Sequence, residues 1–405
     1  MKLSYQVRGR LQHLTAVVIL ALVFTTGFAL GNGRSLTLAQ GSDTHPPAEA
    51  DEAFEPFWQV FNLIKSDYLD EIDTSVLVDG AISGMVDALE DQYSGYMNPE
   101  VYDLLNSDLE GEIEGIGVVI HTVEETSEIE VVGVLEGTPA QLAGLMNGDI
   151  FVTVDGQEVT GMNQTELAVL VRGPAGTSVE ITVRRGTEML DFTVERAHII
   201  IPNVEYEVLD GNYGYVKLNQ FTAEARADLD DAFATLDVNS LNGLVLDFRD
   251  NPGGLLSSAI DIASAFVEEG TVVIEDFGDD GSQTFTANGS FAGITVPIVL
   301  LVNESSASAS ELVAGALQDT GAATIIGETT LGKGTVQTWH PLINGGGVRL
   351  TIARWLTPSG RWIHEQGIEP DITIEWTPTS YNDPNDPQLA EALSFLQMQV
   401  AAPAQ

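Results

Sequence analysis

Ile298-Val299-Leu300-Leu301-Val302 runs directly into Asn303-Glu304-Ser305-Ser306-Ala307-Ser308-Ala309-Ser310-Glu311. Five consecutive apolar residues with no polar alternation predict a strand covered on both faces. Small and polar residues then turn the chain, and residues 310–319 read as a helix. Such a strand needs a helical layer on each side, so the stretch points to an α/β sheet. The same texture recurs around it. Residues 213–218, 244–248 and 323–326 read as strands, residues 223–236 and 255–267 as helices, and 199–376 together as one α/β core.

The turn ending at Ser308 also carries chemistry. Small neighbours let a hydroxyl stand clear, and the following helix start supplies partial positive charge. Ser308 and Glu311 equally fit a Ser-x-x-Glu capping box, a purely structural reading. Twenty-five residues on, Lys333 sits between Gly332 and Gly334. A lysine serves as a general base only if burial keeps its amine neutral, and flanking glycines let other segments approach closely. The chain has only four lysines (Lys2, Lys65, Lys217 and Lys333), so one in an apolar turn is poorly spent on solubility. Gly327 to Lys333 nearly spells a phosphate-binding loop, but Gly334 stands where a Ser or Thr would ligate magnesium. A third turn, Asp247-Phe248-Arg249-Asp250-Asn251-Pro252-Gly253-Gly254, offers glycine amides for an oxyanion, or is simply glycine-rich.

Upstream, residues 111–198 change to short β-rich runs with helices at 138–145 and 164–171. They resemble a PDZ domain. Gly115-Ile116-Gly117-Val118 stands at that family's carboxylate-binding loop, followed by Gly137-Thr138-Pro139-Ala140, Ala143-Gly144-Leu145, Gly148-Asp149-Ile150 and Val154-Asp155-Gly156. In such a loop free N–H groups converge on a peptide's terminal carboxylate while a neighbouring strand pairs with its backbone.

Composition narrows the partners. Sixteen basic against sixty acidic residues give a net charge of −44, a field that repels phosphate and excludes nucleic acid. Cysteine is absent, which removes disulfides, thiol catalysis and Cys-ligated metals. The six histidines are scattered and make no metal-binding motif, so no metal or organic cofactor is expected.

Lys2, Arg8 and Arg10 precede an uncharged, mostly apolar run over 14–30, so residues 1–40 read as a signal peptide or membrane anchor. Thr37-Leu38-Ala39 is a candidate cleavage site. This predicts an extracytoplasmic protein of the periplasm or cell envelope, anchored or secreted. Residues 41–53 read as a polar linker, 54–110 as a helical segment of two or three packing helices, and 377–405 as a tail ending in a helix over 387–400.

The segments together resemble the carboxyl-terminal processing, or tail-specific, serine–lysine peptidases from about Phe54 to Trp376. Further matches are Asp91-Gln92-Tyr93-Ser94-Gly95-Tyr96, TIARWLTPSG over 351–360, and Gly367-Ile368-Glu369-Pro370-Asp371. Gln92 and Leu331 depart from the family pattern without touching the chemistry. The resemblance implies a multidomain α/β chain with an inserted PDZ domain. It implies Ser308 as nucleophile, Lys333 as general base, Gln337 as the residue orienting the lysine, and the amides of Gly254 and Ala309 as oxyanion hole. Protein substrates with apolar carboxyl termini are the expected partners, and dimerisation through the amino-terminal helices or the tail suits the family. Arg172, just before Gly173-Pro174, is a candidate for passing a gating signal from the PDZ domain. Two rivals stand beside this reading. One is a Ser–His–Asp hydrolase using His340 or His364 with Asp247 or Asp250, although no Gly-x-Ser-x-Gly surrounds Ser308. The other is a PDZ adaptor on an inactive core.

Overall fold

The computed structural model of the chain describes residues 50–109, 113–123, 126–377 and 385–401. The apolar run at 14–30 and most of the expected linker lie outside the described residues. The chain divides into two compact units, 1–78 and 79–405. In the first, helix α1 (Ala50–Asp67) starts inside the stretch read as linker and buries no residue. Its apolar side chains do not form a core within that unit. Phe54, Phe57, Trp58 and Phe61 instead meet edge-on along the helix. Lys65 closes the turn after it by donating to the Ile72 carbonyl and the Thr74 hydroxyl. Helix α2 (Thr74–Asp87) follows.

The second unit first corrects the expectation that residues 54–110 are all helical. A short strand, β1 (Gly95–Met97), precedes α3 (Pro99–Leu109) and pairs with residues 347–349. The pairing covers an otherwise open strand edge, and the Tyr96 hydroxyl, donating to Asp79, fixes its position.

The β-rich insert is entered by β2 (Ile113–Gly115) and left by β9 (Ala197–Ile199), which pair with each other as a neck. Between them lie β3 (Val118–Val123), β4 (Glu128–Val134), α4 (Pro139–Ala143), β5 (Ile150–Val154), β6 (Gln157–Glu158), α5 (Gln164–Val171), β7 (Ser178–Arg185) and β8 (Glu188–Glu195). The sheet order is β3-β4-β5-β7-β8, with β6 beside β5. Period-2 burial of Val179, Ile181 and Val183 aims β7 at this domain's own core. Helix α5 begins at a complete capping box between Asn163 and Glu166.

The core continues through β10 (Val204–Leu209), β11 (Tyr213–Leu218), α6 (Ala225–Leu236), β12 (Leu244–Asp247), α7 (Leu256–Phe266), β13 (Thr271–Asp276), β14 (Ser282–Thr286), β15 (Ile298–Val302), α8 (Ala309–Thr320), β16 (Thr324–Gly327), β17 (Thr335–Pro341), β18 (Gly347–Leu356), β19 (Ile372–Thr373) and α9 (Pro387–Ala401). Strands β11, β12, β15, β16 and β19 are parallel in that order, with β10 antiparallel at one edge. Leu244, Leu246, Leu300 and Val302 face the main core with α6, α7 and α8. Val245, Val299 and Leu301 face the opposite way, toward Ala392 and Leu396 of α9. Cover on both faces is why β15 reads as an unbroken apolar run, each such side chain adding roughly 2–3 kcal/mol on burial. A second, antiparallel sheet runs β1-β18-β13-β14, with β17 also on β18.

Candidate active site

Three turns meet at the carboxyl ends of the parallel strands. After β15, Ser306 is buried and donates its hydroxyl to the Phe248 carbonyl, which binds the turn carrying Ser308 to the turn after β12. Ser308 stands just before α8 with φ 54° and ψ −111°. Left-handed backbone is costly for a side chain bearing Cβ, and such strain persists where surroundings over-determine it. Here the surroundings are Gly253 and Glu311. A methyl group on Gly253 would lie 2.9 Å from Ser308 Cβ and 2.8 Å from the Ala307 carbonyl oxygen, so only glycine fits.

The turn over 250–254 is held from inside. Asn251 is wholly buried; its amide donates to the Leu218 carbonyl and its Oδ1 accepts the Gly253 N–H. Its backbone carbonyl accepts the Ala307 N–H and the Ser310 hydroxyl. With the Gly253 amide occupied, the N–H groups of Gly254 and Ala309 are the ones that find no acceptor among the described residues. Before this turn, Asp247 accepts from Arg249 and from the Tyr215 hydroxyl, and Arg249 also pairs with Asp386 ahead of α9. Despite full burial the Asp247 carboxyl is held below its usual range by the Arg249 guanidinium.

Lys333 follows β16 in a turn built by close approach. Added methyls would meet the Glu365 and Gln366 backbone at 3.1 Å from Gly332, and the His364 nitrogen at 2.4 Å from Gly334. The glycines therefore serve close packing, as the sequence predicts. Burial pulls the Lys333 amine down to about 8, with Arg349 adding to the effect and Glu311 opposing it. Its Nζ lies 5.7 Å from the centroid of the Tyr93 ring.

Glu311, 0% exposed, joins the turns. Its Oε2 accepts the Ser308 N–H at 2.8 Å and the Lys333 N–H at 2.9 Å. Its Oε1 accepts the Gly332 N–H and the Thr330 hydroxyl, both at 2.6 Å. The capping residue is thus also the clamp between the serine and lysine segments. From sequence it was legible only as a cap. Asp91, Tyr93, Ser94, Arg349 and Thr351 surround the same place and also escaped a role. Arg349 Nε donates to the Tyr93 carbonyl, and Thr351 N–H to Ser94 Oγ. The sequence signals were the motif at 91–96 for Asp91, Tyr93 and Ser94 and the motif at 351–360 for Thr351, whereas Arg349 lies outside both.

Gln337 does not engage the lysine. Its amide donates to Thr335 and Thr351 hydroxyls at 2.8 and 3.3 Å. Nor is Lys333 Nζ hydrogen-bonded to Ser308 Oγ. Neither His340 nor His364 bonds Asp247 or Asp250: Asp250 is engaged by Asn303, and the His364 ring stacks on Trp362. The geometry therefore gives a Ser–His–Asp arrangement no support.

In the PDZ-like domain, Gly117 (φ 83°) packs on Thr138, and the N–H groups of Ile116 and Gly117 make no hydrogen bond among the described residues. A cavity of about 950 Å³ runs from this loop past Val118, Leu167 and Arg172 to Lys217 and Asp250 of the core. Arg172 caps α5, and its Cγ lies 3.5 Å from where a Gly115 methyl would stand. Ser308 and Lys333 do not line the cavity, but Asp250 belongs to the turn after β12. Among the described residues no His/Cys/Asp/Glu group suits a metal ion, and no helix is long and apolar enough to cross a membrane.

Known proteins are similar to this chain. Residues 212–374 match peptidase family S41, 130–185 a PDZ domain, and 30–101 the activating protease CtpB N-terminal domain. The chain is 37% identical over 363 residues to the carboxy-terminal processing protease CtpA of Bacillus subtilis, covering 89% of this chain and 76% of that one. It is 37% identical to the carboxy-terminal-processing protease of Bartonella bacilliformis, covering 84% and 79%. The solved photosystem II D1 C-terminal processing protease superposes with a TM-score of 0.58 at 30% identity, over 80% of this chain and 89% of the other. With its serine turn, buried clamp and inserted PDZ domain, the chain belongs to the S41 carboxy-terminal processing proteases, a family of serine proteases.

Proposed function

We propose that the chain is an endopeptidase that captures the apolar carboxyl terminus of a protein in its PDZ domain and cleaves that protein with Ser308 and Lys333. The observation that carries this is a half-buried lysine, its amine pulled down to about 8, tied by one buried carboxylate to a strained serine at a helix start. The neutral amine takes the Ser308 proton as Oγ attacks the peptide carbonyl. The N–H groups of Gly254 and Ala309 receive the oxyanion. The amine returns the proton to the departing amine, and water hydrolyses the acyl-enzyme by the reverse roles.

The described arrangement corresponds to a resting site. Lys333 must swing toward Ser308, and Gln337 must leave Thr335 and Thr351 to orient it. Arg172 is suited to carry that signal, because it lines the same cavity as the loop that would hold the substrate carboxylate. The basic flank and apolar run at 14–30 support export and work outside the cytoplasmic membrane, anchored or released. Ser308→Ala is expected to abolish cleavage of a peptide with an apolar tail while leaving its binding intact. Full cleavage by that variant would remove Ser308 from the role.

A further inference from the structure

Arg349 is held beside the surroundings of Lys333 by the pairing of β18 with β1 and β17. It lies on β18, opposite Trp339, and Thr351 two residues on lies opposite Gln337. Side chains alternate along a strand, so Arg349, Thr351 and Gln337 share one sheet face, as the Gln337–Thr351 hydrogen bond attests. On its other edge Arg349 pairs with Gly95 of β1, and its Nε donates to the Tyr93 carbonyl at 2.8 Å. The ring of that same tyrosine lies 5.7 Å from Lys333 Nζ. One residue therefore fixes the guanidinium by its carbonyl and flanks the amine with its ring. No carboxylate forms an ion pair with Arg349 among the described residues.

The charge of the whole chain gives this cation a purpose. A net charge of −44 surrounds every amine with a field that favours its ammonium form. A lysine meant to be neutral needs more than burial in such a protein. It needs positive charge close by and unable to turn away into water.

We propose that Arg349 is a positioning residue acting through electrostatics, which enlarges the share of Lys333 in its neutral, proton-accepting form against the acidic field of the chain. This rests on the reading of Lys333 as the base. Other groups face the lysine from every side. Glu311 from α8 opposes Arg349. Tyr93, ahead of β1, is a partly buried phenol pushed upward by desolvation and neutral. The His364 ring lies against Tyr93, and Glu365 adjoins it. The Asp91 carboxylate is engaged by the Ser94 hydroxyl and the Tyr93 N–H. Of these, Arg349 is the permanent cation.

With only four lysines, the test can read the amine itself. Full-length protein is trace-labelled with acetic anhydride across pH, and labelling at Lys333 is followed by peptide mass spectrometry with Lys65 as internal reference. In Arg349→Met the Lys333 labelling midpoint should rise by about one pH unit, and in Arg349→Lys by less than half of that. The acid limb of kcat/KM on an apolar-tailed peptide should rise in step, so activity falls about tenfold at pH 7 and recovers above about pH 9.5. An unmoved midpoint in Arg349→Met, or the same loss of activity at every pH, overturns the proposal. Should Arg349→Met not fold, Arg349→Lys still decides, because a full-unit rise with the charge retained contradicts an electrostatic role. If Lys333→Ala remains active, the base assignment falls, while the labelling midpoints still test Arg349.

Discussion

The backbone N–H groups of Ser308 and Lys333 converge on one oxygen of Glu311, at 2.8 and 2.9 Å. Residues 25 positions apart are thereby registered by a carboxylate that sees no solvent. Glu311→Gln keeps the shape but turns one acceptor oxygen into a donor facing donors. We expect kcat to fall at least about 100-fold and stability to drop by about 2–3 kcal/mol, since charge-assisted bonds are lost in a buried site. Steady-state kinetics and a thermal melt check both. Wild-type kcat in this variant would mean that Glu311 only caps α8.

A lysine whose ammonium form is disfavoured by burial should cost stability at neutral pH. The folded amine sits near 8, below the ordinary 10.5, so between those values the unfolded chain binds a proton that the folded chain sheds. Stability therefore rises with pH across that window, and the full deficit applies below pH 8. Lys333→Met should accordingly unfold at higher denaturant concentration at pH 7, by roughly 1–2 kcal/mol after allowance for solvent screening. The difference should shrink toward pH 10.5. A variant less stable than wild type at pH 7 would contradict the depressed amine.

Gly254 has φ 146°, and a methyl there would lie 2.4 Å from the Phe221 carbonyl oxygen. Gly254→Ala must displace the turn that presents its N–H. The expected outcome is a roughly 100- to 1,000-fold loss in kcat with KM changed far less. An equal rise in KM with kcat preserved would place this amide in ground-state binding instead.

The capture loop is tested by comparing free-acid and amidated forms of one apolar-tailed peptide. A side chain at Gly117 would collide with Thr138 at 2.4 Å. Gly117→Val should raise KM for the free acid at least about tenfold and erase its advantage over the amide. If the preference survives, the terminal carboxylate is read elsewhere.

Much of the fold is written locally. The strands Tyr213–Leu218 and Ile298–Val302 and the helix Gln164–Val171 fall at the bounds that periodicity predicts. Two-sided burial and a capping box are local signals. The antiparallel sheet of β13, β14, β17 and β18 was not legible in the same way. Its strands mix Arg349, Arg354 and Trp355 with half-exposed positions, and β1 joins them from 250 residues away. The Asn344-Gly345 turn between β17 and β18 is a hairpin signal that could have revealed part of it. Ser308, Lys333 and the glycines around them were legible because their types are unusual for their places. Glu311 was half legible, since its cap is local and its bonds to Thr330, Gly332 and Lys333 are not. Gln337 was placed beside the lysine by resemblance, whereas its amide lies on Thr335 and Thr351.

The most direct test is the pH dependence of Ser308 modification by a fluorophosphonate, followed by mass spectrometry in wild-type protein and in Lys333→Ala. Labelling should rise with a single midpoint near pH 8, pass without inflection through the histidine range, and fall at least about 1,000-fold in the variant. Labelling that persists at the wild-type rate without Lys333, or a midpoint near 6.5, contradicts a neutral lysine as the group that activates the serine.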